Sequence, residues 1–207
     1  MIGRRKYLST RAEQKDKAIK DAATKLFIKN GLDGVSVDDI AKAAKVSKPT
    51  IYSRYKTKEK LFVAILIGEC EKQIEKMFEP RGDKQTLEDF IYKKAFEYIS
   101  FITDPWYVNL LRNAIYYSGH FDEIGEAFLR FGPRKGVSKL ANSLAVEIDK
   151  GELKAVDPSD AAEFIISRSK SNCFFNAILA RTLENADEDI KVEAMKIKKE
   201  FLLLFKA

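Results

Sequence analysis

The chain has 207 residues, 45% hydrophobic and 33% charged, with a formal net charge of +6, which is enough to bury a sizeable core in one or two domains. No stretch approaches the roughly eighteen consecutive apolar residues of a membrane span, and the basic start MIGRRKYLSTRAEQKDK has no apolar run after it, so no secretory signal is expected. Cys70 and Cys173 fit no metal or redox spacing and are expected as reduced core residues of a cytoplasmic protein.

Charge is unevenly placed. Residues 1–60 carry 16 Lys+Arg against 7 Asp+Glu, a net of +9, whereas the remainder nets −3. A basic head on a slightly acidic body points to a polyanion partner; the alternative is a solvated lysine-rich surface.

The periodicity is helical throughout. Ile19, Ala22, Ala23, Leu26 and Phe27 form one apolar stripe, stopped by Asn30-Gly31. Ser36 with Asp39 three residues on fits a capping box that opens a short helix through Ile40, Ala41 and Ala44. A tight turn at Lys45-Val46 leads to a second short helix, with Ser47 as cap and Pro49 in its first turn. Thr57 is expected to cap a long helix over about 58–78, ended by Pro80-Arg81-Gly82. Further helices are expected over about 84–103, 106–117, from Asp122 to Gly132-Pro133, and over 134–150. One helix capped by Asp157 is expected to run from Pro158 to about Glu184, and a last one from about Asp187. No run alternates as a strand. The fold class expected is all-α, with a head of residues 1–60 and a larger helical domain of residues 61–207.

The stretch VSKPTIYSRYKTKEKL, Val46 to Leu61, is mostly charged and hydroxyl-bearing, with few aliphatic anchors. Two short helices joined by a tight turn and braced by a leading helix make a helix-turn-helix, whose second helix meets DNA in the major groove. The few aliphatics would anchor that helix while its other side chains face phosphates and base edges.

The chain resembles the tetracycline-repressor (TetR) family of bacterial transcription regulators. The resemblance rests on Ile19 to Leu66: A-A-x-x-L-F-x-x-x-G at Ala22 to Gly31, S-V-x-x-I-A at Ser36 to Ala41, and I-Y-x-x-Y-x-x-K at Ile51 to Lys58. Gly151-Glu152-Leu153, Asp157-Pro158 and Ala161-Ala162 look like the lead into the family's dimerisation helices. Lys45 departs from the usual glycine in the turn, where a left-handed lysine costs about 1–2 kcal/mol. Arg54 stands where an aromatic or histidine is common.

The DNA-binding residues expected are Ser36, Ser47, Lys48, Pro49, Thr50, Tyr52, Ser53, Arg54 and Lys58. Lys48 is placed for guanine O6 or N7. Pro49 and Thr50 suit a thymine methyl, and Ser53 a base or the backbone. Tyr52 matches the family's phosphate-binding tyrosine, and Lys58 its lysine at the start of the fourth helix, where phosphate and dipole meet. Tyr55 is assigned to the core. Arg4, Arg5, Lys6 and Arg11 form a basic arm for the backbone or minor groove.

Residues 78–131 hold 13 of the 23 aromatics. The resemblance implies an effector pocket there, and Trp106, Tyr107, Leu110, Asn113, Tyr117, His120, Phe121, Phe128 and Phe131 are its expected lining for a largely apolar molecule; plain core packing is the alternative. Phe164, Ile165, Ser169, Asn172, Asn176, Ile197 and Phe201 are expected at a homodimer interface.

The functional expectation is a homodimeric repressor on palindromic double-stranded DNA, its half-sites about 34–36 Å apart, released by the effector. The alternative is an effector-independent architectural or partner-recruiting factor. A single histidine, His120, with no nucleophile motif, metal cluster or phosphate loop gives no ground for an enzyme, a metal site or a cofactor.

Overall fold

The protein is described here by a computed structural model covering residues 11–179 and 186–207. Arg4, Arg5 and Lys6 of the expected basic arm lie outside those residues. Among the described residues there are eleven helices and one isolated bridge, Leu153 to Lys206. The fold is all-α. It divides into two compact units between Leu66 and Ile67, inside a continuous helix.

The first unit contains α1 (Arg11–Asn30), α2 (Val37–Ala44), α3 (Lys48–Tyr55) and the start of α4 (Lys58–Met77). The α1 stripe Ile19, Ala22, Ala23 and Phe27 is buried, and Phe27 meets Phe62 of α4 edge to face at 5.5 Å. Gly31 takes φ 71° and its N–H donates to the Phe27 carbonyl at 2.9 Å, which ends α1 where the sequence placed the stop. The capping box of α2 is complete: Asp39 N–H donates to Ser36 Oγ at 3.1 Å, and Ser36 N–H donates to Asp39 Oδ2 at 3.1 Å.

The second unit contains the rest of α4, then α5 (Leu87–Thr103), α6 (Pro105–Ser118), α7 (Asp122–Phe131), α8 (Pro133–Asp149), α9 (Pro158–Arg168), α10 (Asn172–Leu179) and α11 (Ala186–Phe205). Here α8 packs on α9 and α5 on α11, around a core that includes Phe78, Phe90, Ile91, Tyr98, Leu140, Leu144, Ile165, Ile197 and Phe201. Cys70 and Cys173 are free and buried; burial pushes the Cys70 thiol up to about 12, so it stays protonated and unreactive.

The single helix expected from Pro158 to about Glu184 is instead two. It breaks after Arg168, in Ser169-Lys170-Ser171. Ser169 Oγ donates back to the Ile165 carbonyl at 2.7 Å, and a hydroxyl that competes for backbone partners weakens the helical ladder. The end of the expected helix, residues 180–184, lies outside the described residues.

Two buried charges tie the second unit together. Lys94 of α5 donates its ammonium to the carbonyl of Met77, the last residue of α4, and lies 5.4 Å over the Phe90 ring. A cation at a helix C-terminus complements the dipole there, although burial pulls the Lys94 pKa down. Arg81 reaches Glu147 Oε2 at 2.5 Å and Glu152 Oε1 at 2.6 Å, and donates to the Gln85 carbonyl at 3.1 Å. The Glu147 side chain is only 1% exposed. Replacing Arg81 by Met leaves that carboxylate buried beside Lys150 alone. The expected loss is about 3 kcal/mol in denaturant unfolding, partly recovered when Glu147→Gln is added; an unchanged midpoint for Arg81→Met would contradict the role of this ion cluster.

Candidate nucleic-acid interface and ligand region

Helix α3 has eight residues, KPTIYSRY, and buries one, Ile51. Pro49, Tyr52, Ser53 and Arg54 are exposed. So polar a helix cannot be held by apolar packing alone. Its far end is held by Asp16 of α1, which accepts from the Tyr55 hydroxyl at 2.6 Å and pairs with Arg54 at 3.4 Å. Arg54 also donates to the Ala12 carbonyl at 3.1 Å. Burial works to raise the Asp16 pKa, but the Tyr55 hydrogen bond, Lys20 and Arg54 together hold it below the usual carboxylate range. Burial, followed by the Asp16 hydrogen bond, raises the Tyr55 phenol well above its ordinary value. At the near end, Ser47 is the N-cap but caps no N–H with its side chain; its hydroxyl pairs with Thr50 Oγ1 at 2.8 Å.

The cations expected on DNA are engaged by protein groups. Lys48 Nζ donates to Asp38 Oδ2 of α2 at 2.9 Å, and that hydrogen bond and charge raise its pKa. Lys58, expected on phosphate, is held by backbone oxygens of its own chain. Its ammonium donates to the carbonyls of Leu32 at 2.6 Å and Val35 at 3.0 Å, because the loop after α1 has carbonyls that no helix satisfies. The Ser36 hydroxyl is occupied by the capping box. Ser53 Oγ donates to the Thr50 carbonyl at 3.0 Å. Tyr52, 43% exposed, presents its ring and hydroxyl outward.

The turn before α3 keeps lysine where glycine would be unstrained: Lys45 has φ 53°, ψ 45°. The backbone adopts the left-handed state rather than adjusting around it. Its N–H and that of Val46 close the turn on the Lys42 and Ala41 carbonyls, at 3.2 and 3.0 Å.

Of the nine residues expected to line one effector pocket, some lie in the interior and others at the surface. Tyr107, Leu110 and Tyr117 are buried, with Tyr107 packed on Phe101 and Phe128 at ring distances of 4.4 and 6.2 Å. Asn113 donates to the Asn109 carbonyl on its own helix at 2.8 Å. His120 is exposed beside Tyr116, and Phe121 is 40% exposed. Phe131 is half-buried under Arg130. Trp106 alone of the nine borders a groove of about 640 Å³ in the second unit, formed with Gln73 and Met77 of α4 and Phe96, Glu97, Ser100 and Phe101 of α5. Sequence reading missed these groove residues. The signal was the Phe96, Ser100 spacing on α5, which sets an apolar and a polar tip on one face.

The expected dimer residues split in the same way. Ile165, Ser169, Ile197 and Phe201 are fully buried within the second unit, so they are not available to a second copy. The stripe that looked like an interface is spent on α5, α8 and α9. Phe164 is half-buried against Phe201 and Phe205, and Asn172 and Asn176 are exposed on α10. The outward apolar residues are others: Phe175 and Leu179 on α10, and Val192, Met195 and Leu203 on α11.

The Asp16 contacts carry a pH signature. A carboxyl whose folded pKa is depressed contributes stability above its unfolded pKa, near 4, and loses it as pH falls through the folded value. Asp16→Asn is expected to lower the melting temperature at pH 7 and to flatten the stability loss below about pH 4. Equal acid sensitivity in wild type and variant would exclude Asp16 as that group.

Residues 19–65 match the sequence model of bacterial regulatory proteins of the tetR family, and residues 92–197 match that of the AefR-like transcriptional repressor C-terminal domain. The chain is 36% identical over 101 residues to the HTH-type transcriptional regulator QacR of Staphylococcus aureus, covering 49% of this chain and 51% of that protein. It is 31% identical over 96 residues to IcaR of Staphylococcus epidermidis, the negative transcriptional regulator of the biofilm operon icaADBC, covering 46% and 50%. The chain thus spans about half the length of these curated relatives. Among solved structures, the flavonoid-responsive regulator FrrA superposes with a TM-score of 0.76 at 27% identity, covering 94% of this chain and 98% of that one. A TetR-family regulator of Mesorhizobium loti MAFF303099 shares the fold at a TM-score of 0.86 and 22% identity, covering 96% and 100%. With both halves of the chain matched, and a helix-turn-helix of the expected geometry in the first unit, the chain belongs to the TetR family of bacterial regulatory proteins.

Proposed function

We propose that the protein is a cytoplasmic, homodimeric, sequence-specific DNA-binding repressor that leaves its operator when a small, largely apolar effector binds the second unit. One observation carries the DNA reading: α3 exposes Lys48, Pro49, Tyr52, Ser53 and Arg54 and buries Ile51 alone. A helix built this way suits a ligand made of phosphates and base edges. Repression is supported by the relative described as a negative regulator, and an aromatic-accommodating effector by the neighbour described as flavonoid-responsive. The groove bordered by Trp106, Phe96 and Phe101 is the candidate effector site.

Base reading is assigned to Lys48, with Pro49, Thr50 and Ser53 beside it, and phosphate contact to Tyr52, Arg54 and the N-terminal ends of α2, α3 and α4 around Ser36, Ser47 and Lys58 respectively. Since Lys48 is paired with Asp38, DNA must compete with that pair, which solvent screens because both side chains are exposed. For dimerisation, Val192, Met195 and Leu203 form one outward stripe on α11, and Phe175 and Leu179 a second on α10. Two copies pairing these stripes would make a four-helix interface. Effector binding would act as a population shift carried by α4, the helix that runs through both units.

The packed state of Tyr107, Leu110 and Tyr117 favours a second reading, an effector-independent DNA-binding factor. Apolar ligands that leave operator affinity unchanged would support it.

Selection from a random DNA library at about 0.15 M salt is expected to recover a palindrome. Failure to enrich any sequence would overturn the sequence-specific reading. Lys48→Ala is expected to relax preference at one base position by about 1–3 kcal/mol, read by comparing operator variants. Met195→Glu is expected to give monomers in sedimentation, because a buried unpaired carboxylate opposes the interface; persistent dimers would place the interface elsewhere.

A further inference from the structure

Lys45 and Lys56 are the two non-glycine residues at positive φ among the described residues; Lys45 lies in the turn that leads into α3 and Lys56 directly after it. Lys45 is the C-cap of α2 and Lys56 the C-cap of α3. Lys56, at φ 62° and ψ −45°, sits in a turn closed by Thr57 N–H on the Tyr55 carbonyl at 2.7 Å. That three-residue turn is a strained form. Glycine would take either conformation without a Cβ clash.

Availability separates these two from Lys48, Arg54 and Lys58. Lys48, Arg54 and Lys58 are each held by protein oxygens. Lys45 and Lys56 are exposed and form no ion pair or side-chain hydrogen bond among the described residues. Eight helical residues span about 12 Å, about the width of the major groove. Lys45 precedes that helix by three residues and Lys56 directly follows it, so the two ammonium groups flank a helix of about groove width.

We propose that Lys45 and Lys56 are phosphate-binding residues that bracket α3, kept as lysine against the backbone strain of their turns. This rests on the reading of α3 as the helix that meets DNA. A structural role also exists for a cation at a helix C-terminus, through the dipole, and it predicts the opposite sign for stability on removal.

The test uses the full-length protein and its selected operator. Lys45→Gly and Lys56→Gly are each expected to raise the melting temperature, because they relieve strain. Each is also expected to weaken operator binding roughly fivefold at 0.15 M salt and to reduce the slope of log affinity against log salt by about 0.9. Lys→Arg at either position should keep the wild-type slope. Lys→Asn, neutral and tolerant of the left-handed region, should lose it as glycine does. A wild-type slope in both glycine variants overturns the proposal, as does a lower melting temperature with an unchanged slope. If the wild type itself binds no DNA, the reading of α3 fails and this assignment falls with it. If it binds and the variants keep its slope, only this assignment fails.

Discussion

A helix with one buried side chain has to be positioned by something other than a core, and in this protein the Asp16 carboxylate supplies that constraint. From α1 it accepts the Tyr55 hydroxyl and pairs with Arg54, fixing the C-terminal end of α3. Ile51 sets the depth of the helix. The capping box of Ser36 and Asp39 fixes where α2 begins, and so where the turn at Lys45 falls. With those points set, the remaining face of α3 is free of packing duties and can be as polar as its ligand requires. The neutral-pH state of Asp16 is thus part of the geometry of the interface, not a surface detail.

The second unit solves a different problem. It must stay folded while keeping some apolar side chains at its surface. Arg81 and Lys94 settle its interior by giving buried carboxylate and carbonyl oxygens their partners. Arg168 and Glu200 form a two-bond pair between α9 and α11, at 2.8 Å each. That pair is about half exposed and adds little energy; the buried stripe of α11 sets the helix's orientation. That orientation turns Val192, Met195 and Leu203 outward and Ile190, Ala194, Ile197 and Phe201 inward. One amphipathic helix thereby has a spent stripe and an available one.

Among the described residues, the non-glycine residues at positive φ are two lysines beside α3. The Lys45 turn joins α2 to α3, and the Lys56 turn joins α3 to α4. The backbone cost of each is of order 1–2 kcal/mol, a notable fraction of a small unit's stability. Such a cost persists where a side chain is needed at that point, and the free ammonium groups are what these positions provide.

The amino-acid sequence by itself determined the all-α class, the helix-turn-helix and most helix ends. These depend on signals within a few residues of one another: Ser36 with Asp39, Asn30 with Gly31, Asp157 with Pro158. The break at Ser169 was less legible, since an isolated serine run weakens a helix without forbidding it. Tertiary structure alone decided how the side chains are used. Asp16 lies 38 residues from Arg54 and Leu32 lies 26 from Lys58, and no local pattern announces such pairs. Likewise, an apolar stripe reads the same whether its own chain or a second copy covers it. Ile165 and Phe201 turned out to be covered by their own chain, because α8, α9, α5 and α11 pack there first.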